Sequence, residues 1–242
     1  MGQIELFSTT EKENYIVTKS NELIREAKHS LNAKELTLID FMIAQIRQND
    51  NELHEIVISI AALNKICKFG EGGAAYSSTM DALLSLSNKG FWFENPSGSK
   101  SIYRWLDKAT VESGIARLQL DKDLAPHLLG LIKGGKYTQF YFIDVANLKS
   151  LFAKALYEEL RSYSPQKIIE ITTQRVRELF HKEDLEWYRV LPYLRKAKKD
   201  INEKTFMSLD YETIKQGKTT VAVRFNIEKK EGEVIAENIQ IT

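Results

Sequence analysis

The segment that decides the fold is Lys167-Ile168-Ile169-Glu170-Ile171-Thr172-Thr173, an alternating run that predicts a β-strand. A short helix is expected next, over residues 173–181, and then a lysine-rich helix over about residues 191–202 that ends Lys198-Lys199-Asp200-Ile201-Asn202. Two strands, over residues 206–211 and 219–227, follow around Gln216-Gly217. A strand, two helices and a hairpin in this order predict a winged helix, and the basic second helix predicts DNA binding.

The first half of the chain repeats this order more faintly. A strand over residues 55–60 precedes helices over residues 61–68 and 77–87, and aromatic strands 91–93 and 102–105 flank the turn Asn95-Pro96-Ser97-Gly98. The run Ile58-Ser59-Ile60-Ala61-Ala62 also resembles Ile169-Glu170-Ile171-Thr172-Thr173. We therefore predict an α+β chain of two tandem winged-helix domains, residues 1–144 and residues 145–242.

Further elements are expected around these repeats. Apolar periodicity predicts helices over residues 20–29 and 33–47, the second with Asn32 as N-cap and Glu35 completing a capping box. Strands are predicted over residues 115–120 and 137–143, with a short helix near residues 124–131 and the breaker Gly134-Gly135 between them. A long amphipathic helix over residues 145–162, with Glu159 on its inner side, opens the second domain.

Composition limits the class of protein without deciding it. The chain has 242 residues and a formal net charge of +1, so nucleic-acid binding depends on where the charge is concentrated. Its single cysteine, Cys67, cannot form an internal disulfide, and residues 1–6 lack the basic and apolar regions of a signal peptide. No apolar run approaches the roughly 20 residues of a membrane helix. We therefore expect a cytoplasmic protein that is not inserted in a membrane.

Helical periodicity separates two faces of the lysine-rich helix. With Leu194 at the centre of the buried face, a rotation of 100° per residue adds Val190, Leu191, Ala197, Lys198 and Ile201 to that face. The opposite face carries Tyr188, Arg189, Tyr193, Arg195, Lys196 and Lys199. Because proline suits the first turn of a helix, Pro192 predicts that Tyr188 and Arg189 lie just before the helix or in an irregular first turn. Arg189 is therefore expected near the tip.

The exposed residues of this helix have the chemistry of a DNA contact. Residues 187–204 include six basic and two acidic residues. An arginine at the tip can donate two hydrogen bonds to guanine in the major groove, whereas lysines further along suit phosphates. Lys215 and Lys218 flank the hairpin turn, where a wing would reach DNA. A merely solvated face is the alternative on charge alone, and the helix-turn-helix context favours DNA.

The first domain offers fewer cations. Its helix over residues 77–87, with Met80, Leu83, Leu84 and Ser87 expected to face inward, has small polar residues and no arginine. That composition suits contact with the DNA backbone or with protein better than base reading. Lys100 and Arg104 on the first hairpin are the better candidates for phosphate contact in this domain.

Over nearly its whole length the sequence resembles the family of plasmid replication initiators that act at iterons, which are directly repeated origin sequences. The matching stretches of the first half are Asn21-Glu22-Leu23-Ile24, Leu31-Asn32-Ala33-Lys34-Glu35 and Tyr137-Thr138. Those of the second half are Leu148-Lys149-Ser150, Leu156-Tyr157-Glu158-Glu159-Leu160, Ala197-Lys198-Lys199-Asp200-Ile201-Asn202 and the hairpin over residues 211–225. Family members usually carry arginine where this chain has Ala155, and often arginine where it has Lys218.

The resemblance implies two winged-helix domains with divided roles. The second would read double-stranded DNA with direct repeats, while the first would add DNA contacts in monomers or supply the interface of a homodimer in equilibrium with monomer. Monomers would help to open the origin and recruit the host initiator ATPase and the replicative helicase. Dimers would repress the protein's own gene.

Catalysis is not expected, and neither is a metal or a cofactor. His29, His54, His127 and His181 are isolated, so the metal-binding histidine pair of a strand-cutting initiator is missing, as is the phosphate-binding loop of an ATPase. Tyr157 is expected in the core or in packing between the domains rather than as a nucleophile. Two alternatives stay open: a winged-helix transcriptional regulator without a replication role, and a scaffold whose winged helices contact only protein.

Overall fold

The structure is a computed structural model that describes residues 15–94, 98–134 and 136–231. The chain forms two compact units, with the boundary between Ala146 and Asn147. Each unit contains a three-stranded antiparallel sheet whose first strand, in chain order, pairs with its last, and two helices follow that first strand. This is the arrangement of a winged helix, so the predicted α+β fold of two winged-helix domains is confirmed.

The first unit is built from short strands and helices. In chain order it contains β1 (Ile16–Ser20), α1 (Asn21–Glu26), α2 (Ala33–Ile43), β2 (Ile56–Ser59), α3 (Ile60–Ile66), α4 (Gly72–Ser87), β3 (Gly90–Glu94), β4 (Lys100–Arg104), β5 (Leu106–Glu112), β6 (Ile115–Leu120), α5 (Ala125–Leu128), α6 (Leu131–Gly134), β7 (Tyr137–Tyr141) and α7 (Phe142–Asn147). Its sheets have the orders β2-β6-β5, β1-β7 and β3-β4. The winged helix comprises α3, α4 and the three-stranded sheet.

Helix α2 is a core helix of the first unit because apolar residues surround its axis. Its buried apolar residues are Leu36, Leu38, Ile39, Phe41, Met42 and Ile43. Asn32 accepts from the backbone N–H of Glu35, whose carboxylate accepts from the Asn32 N–H at 2.7 Å, which confirms the capping box. Lys89 donates to both Glu35 oxygens at 2.7 and 2.9 Å. Burial raises the pKa of Glu35, but hydrogen bonds from Lys89, Ser85 and Asn32 hold it below its ordinary value.

The second unit has fewer and longer elements. In chain order it contains α8 (Leu151–Arg161), β8 (Ile168–Thr172), α9 (Thr173–Leu179), α10 (Trp187–Lys204), β9 (Met207–Gln216) and β10 (Thr219–Lys229). The sheet order is β8-β10-β9, with both pairings antiparallel. Helices α9 and α10 form the helix-turn-helix, and the β9-β10 hairpin is the wing.

The wing of the first unit is not the hairpin that the sequence suggested. Strand β2 pairs with β6, and β6 pairs with β5, so the wing is the β5-β6 hairpin. Its turn holds Ser113 and Gly114 at φ angles of 49° and 78°, a conformation that favours glycine. Strands β3 and β4 form a separate sheet, and the expected turn at Asn95, Pro96 and Ser97 lies outside the described residues, as does Gly135. Strand β5 was missed because most of its residues are polar.

The internal repeat has a different register from the expected one. Ser59 caps α3 by accepting from the Ala62 N–H at 3.1 Å, and Thr172 caps α9 by accepting from the Arg175 N–H at 3.1 Å. Ser59 and Thr172 are therefore equivalent, whereas the sequence match had paired Ser59 with Glu170. A shift of two residues keeps the alternation of the strand, so its buried face is unchanged.

Several helix limits also differ from expectation. Helix α1 ends at Glu26, and the strand before it, β1, was not predicted. Helix α4 begins at Gly72 rather than at residue 77. Leu83 is buried as expected, but Leu84 is 65% exposed and Ser87 is also exposed, and Leu86 takes the inward position instead. The expectation for Leu84 was wrong because the buried face of α4 runs through Ala75, Thr79 and Ala82. Helical spacing continues that face to Leu83 and Leu86 and leaves Leu84 on the exposed side.

Candidate nucleic-acid interface

Helix α10 has one buried and one exposed face, in the phase that the sequence predicted. Four residues of the buried face have no exposed surface: Val190, Leu194, Ala197 and Ile201. The residues expected at its edges, Leu191 and Lys198, are half-buried. The buried face packs mainly against α8 and β9. Packing of this apolar stripe leaves the opposite face of the helix in water.

Side chains at the end of α10 attach the helix to the wing. The amide of Asn202 donates to the Leu209 carbonyl at 2.8 Å and accepts from the Leu209 N–H at 2.6 Å. Lys230 donates to the carbonyl oxygens of Asn202 and Thr205, which end the helix without helical donors. These bonds set the position of the wing relative to α10. Sequence reasoning missed both contacts, although Asn202 stood in a matching family stretch.

Pro192 lies beyond the first turn of α10, contrary to expectation, and Tyr188 and Arg189 lie within that turn, which is one of the two placements expected for them. The helix starts at Trp187 with Glu186 as its N-cap, so the proline occupies the sixth helical position. The Arg189 backbone N–H donates to the Glu186 carbonyl at 2.9 Å. Tyr188 and Arg189 are both exposed, and Arg189 Nε donates to the Tyr188 hydroxyl at 3.1 Å. The two expected tip residues therefore project from the N-terminal turn into solvent.

Four exposed cations of α10 form a surface that we call the α10 cationic face: Arg189, Arg195, Lys196 and Lys199. Lys199 lies 3.8 Å from Glu203, both exposed, while within the described part of the chain the other three have no ion-pair partner. Lys198 is different because it contacts Asp210 at 2.5 Å, and this hydrogen bond lowers the pKa of Asp210. Lys196 and Lys199 are therefore exposed on the helix surface, whereas Lys198 joins α10 to the β9-β10 hairpin.

Tyr193 lies at the edge of the exposed face rather than on it. Its ring is half-buried, with its centroid 4.7 Å from that of Phe152 on α8. The ammonium of Lys182, in the turn between α9 and α10, lies 5.6 Å from the centroid of Tyr193 and 5.9 Å from that of Phe152. Tyr193 thus packs the helix-turn-helix turn against α8. Sequence reasoning missed Lys182, which is followed by the acidic Glu183 and Asp184.

The wing has its available cations at the tip. Lys215 and Lys218 are exposed beside the turn between β9 and β10, and neither has an ion-pair partner among the described residues. Further from the tip, Arg224 is held at 2.7 Å by Glu170 on one side and by Glu212 on the other. Hydrogen bonds to Glu170 and then Glu212 raise the pKa of Arg224. Positive charge is therefore uncompensated at the tip and balanced along the sheet.

A buried ion pair joins α9 to α8. Arg175 donates through Nε and Nη2 to the two oxygens of Glu159, at 3.1 and 2.8 Å, and the Glu159 side chain is 1% exposed. Burial lowers the pKa of Arg175, but the hydrogen bonds and charge of Glu159 raise it above its ordinary value. Two parallel bonds restrict orientation as well as distance. The sequence predicted Glu159 inward but not its partner, although a buried glutamate requires a cation.

The corresponding helix of the first unit carries no basic residue. The exposed residues of α4 are Gly72, Gly73, Ala74, Tyr76, Ser77, Ser78, Asp81, Leu84 and Ser87. Lys100 and Arg104 are exposed on β4 and share one face of that strand with Ile102, which is 63% exposed. The two basic residues predicted for this unit therefore belong to the separate β3-β4 sheet and not to the wing.

Some classes of site are not observed among the described residues. Within the described ranges, no three His, Cys, Asp or Glu side chains are grouped so that they could hold a metal ion. No helix in these ranges has the length and apolar composition needed to cross a membrane. Tyr157 is 1% exposed, so its predicted position in the core is confirmed.

Two protein-family models match the sequence. The model described as "Initiator Replication protein, WH1" matches residues 16–161, which is more than half of the chain. The model described as "Initiator Rep protein, WH2" matches residues 193–227, which include most of α10 and the wing. A search of curated protein sequences finds no match.

Solved structures with the same fold include an initiator protein. The crystal structure of Pi initiator protein in complex with iteron DNA matches with a TM-score of 0.75 and 16% sequence identity, over 90% of this chain and 99% of that chain. Domains 2 and 3 of RctB match with a TM-score of 0.58 and 14% identity over 83% of each chain. A second structure of RctB domains 2-3 gives 0.52 and 13%, over 81% of this chain and 80% of the other. At these identities the shared property is the fold.

Proposed function

The chain belongs to the initiator replication protein family, and we propose on this basis that it is a plasmid replication initiator that binds directly repeated origin DNA. The observation that carries the proposal is the α10 cationic face on the second helix of a winged helix. Cations held there by a rigidly packed helix meet phosphates and base edges together, because an α-helix fits the major groove.

The cations divide between base reading and phosphate contact in this proposal. Arg189, in the N-terminal turn, donates to guanine O6 and N7, which accept two hydrogen bonds in the major groove. Arg195, Lys196 and Lys199 contact phosphates and set the register of the helix on the duplex. Tyr188 adds contact beside Arg189, and Tyr193 supports the turn. At the other side of the site, Lys215 and Lys218 bring the wing to the DNA backbone.

The first unit contributes in a different way. Its Lys100 and Arg104 are exposed and contact phosphates in the monomer, whereas in a homodimer this unit supplies the interface between subunits. The Pi initiator protein, whose fold this chain shares over 90% of its length, was crystallised with iteron DNA, which supports double-stranded direct repeats as the ligand. A monomer has two winged helices with which to occupy one repeat.

Binding would then lead to replication without catalysis by this chain. Monomers on adjacent repeats help to open the origin, and they recruit the host initiator ATPase and the replicative helicase in the cytoplasm. Dimers, in equilibrium with monomers, repress the protein's own gene. The proposal needs no metal and no cofactor.

The test is fluorescence anisotropy on duplexes tiled across the DNA next to the gene, with a shuffled duplex and a salt titration. We expect stepwise occupancy of a directly repeated element, with affinity that falls steeply with salt. Occupancy of a single palindrome would instead identify a transcriptional regulator. Equal binding to the shuffled duplex would overturn the proposed recognition of a repeat. No salt-dependent binding at all would favour a scaffold that contacts only protein.

A further inference from the structure

Arg189 is not an independent side chain in the structure, because it is bonded to the residue before it. Its Nε donates to the Tyr188 hydroxyl at 3.1 Å, and the guanidinium carbon lies 5.7 Å from the centroid of the Tyr188 ring. Among the described residues, the two Nη groups have no hydrogen-bond acceptor and the guanidinium has no carboxylate partner. One tyrosine thus holds the arginine through a hydrogen bond and a ring contact, and the outer end of the guanidinium stays available.

We propose that Tyr188 is a positioning residue that selects how Arg189 meets a base, an inference that rests on the proposed function. A guanidinium can donate to guanine either through Nε and one Nη or through both Nη groups. The bond to Tyr188 occupies Nε, so only the outer pair of donors remains. Arg189 is thereby restricted to end-on approach, in which both Nη groups bond to O6 and N7 of one guanine.

Restriction of the arginine before binding also increases discrimination. A long, exposed side chain loses rotamer freedom when it is ordered in an interface, and ordering in the free protein removes part of that cost. The gain applies only where the fixed geometry matches the acceptors, so it favours guanine over bases that lack the paired O6 and N7 acceptors. We therefore expect the Tyr188 hydroxyl to contribute about a two- to tenfold preference at one base pair.

The tyrosine hydroxyl can be removed without disturbing the fold. Tyr188 is 65% exposed and lies in the first turn of α10, away from the apolar face. The substitution Tyr188→Phe keeps the ring beside the guanidinium and deletes only the acceptor of the Nε bond. Tyr211→Phe is a matched control, since it deletes a tyrosine hydroxyl from β9 of the same unit, where the ring packs against Phe225.

The experiment measures base preference with single-base-pair variants of the bound duplex. Arg189→Ala first identifies the base pair whose preference depends on that arginine. Tyr188→Phe should then lower the preference at this base pair by about two- to tenfold, with the other positions and the Tm unchanged. In the Arg189→Ala background, Tyr188→Phe should cause no further change in base preference. Tyr211→Phe in the parent protein should not change base preference at any position.

Three results would overturn the positioning role: an unchanged preference in Tyr188→Phe, an equal loss at every base pair, or a loss that persists in the Arg189→Ala background. In each of these the proposed function survives if the parent protein still selects its repeat. If Arg189→Ala leaves every base preference intact, base reading by Arg189 fails, and the role of Tyr188 fails with it. If the parent protein itself showed no preference for the repeat over other DNA, the proposed function would be overturned.

Discussion

Helices α4 and α10 occupy the same place in two copies of one fold, yet they expose different chemistry. Each is the second helix after the first strand of its sheet. Their buried faces are alike, since Leu83 and Leu86 of α4 and Leu194 and Ile201 of α10 are at most 3% exposed. The exposed face of α4 is uncharged apart from Asp81, whereas α10 carries the α10 cationic face. The fold places the helix, and its exposed side chains decide what it can bind.

The two helices also differ in where their polar side chains are engaged. In the middle of α4, the Thr79 hydroxyl donates to Asn64 at 2.5 Å, and the Ser78 hydroxyl accepts from Lys34 at 3.0 Å. In α10 the bonds to the neighbouring strand β9 lie in the C-terminal half, at Lys198 and Asn202. Part of the polar surface of α4 is thus used for bonds to other elements of its own unit, while in the exposed N-terminal turn of α10 Arg189 bonds to its neighbour Tyr188.

The buried faces, where the helices agree, should give the largest effect. We expect Ile201→Ala in α10 and Leu86→Ala in α4 each to lower the free energy of unfolding by about 2 to 5 kcal/mol, because each deletes buried apolar volume. Leu84→Ala, at the exposed position of α4, should stay within about 0.5 kcal/mol. Urea denaturation measures all three. An unshifted transition for Ile201→Ala would contradict the phase assigned to α10.

Sequence periodicity predicted the fold wherever one buried face dominates an element. The apolar spacing of α10 and the alternation of β8 led to the right elements because burial on one side selects a single period. Strand β5 has a mostly polar sequence, and its place in the sheet depends on pairing with β6, which is a long-range interaction. The wing of the first unit was therefore assigned to the more aromatic β3-β4 hairpin.

From the sequence, helical phase could place the exposed residues of the candidate site but not the contacts that they make. Phase placed Arg189, Arg195 and Lys196 on the exposed side of α10, as the structure has them. It could not show that Tyr193 turns toward Phe152, because that contact depends on how α8 packs. The bond between Asn202 and Leu209 could not be predicted either, because it joins a helix to a strand whose position is set by tertiary structure.

Arg189 tests whether α10 reads bases, which α4 is not expected to do. Arg189→Ala should weaken binding to the repeat by about 1 to 3 kcal/mol and change binding to a shuffled duplex little, because two hydrogen bonds to one base are lost. Arg117→Ala is a matched control, as Arg117 is an exposed arginine of the first unit paired with Glu55 at 3.1 Å. Anisotropy titrations of both duplexes give the two affinities. If Arg189→Ala weakened binding to the repeat and to the shuffled duplex equally, α10 would not read bases through Arg189.

Lys196 tests the phosphate part of the α10 cationic face. Lys196→Ala should reduce the slope of log affinity against log salt by about one on both duplexes, since one fewer counterion is released. Lys198→Ala, two residues along the same helix, should leave the slope unchanged because Lys198 contacts Asp210. Salt titrations of the parent and both variants supply the slopes. The same reduction in both variants would mean that charge near the helix, and not contact with phosphate, determines the salt dependence.

Substitution of Ser77 is expected to have the smallest effect on DNA binding, and it tests directly whether α4 differs from α10 in reading bases. It is exposed on α4 and is small enough to bond a phosphate, but a lone hydroxyl cannot distinguish the four base pairs as a forked arginine can. We therefore expect Ser77→Ala to change binding to the repeat and to the shuffled duplex by the same factor, within about twofold, so that their ratio stays constant. A fall in that ratio, measured by competition between the two duplexes, would mean that α4 also reads sequence. Base reading would then depend on the position of the helix in the fold more than on its charge.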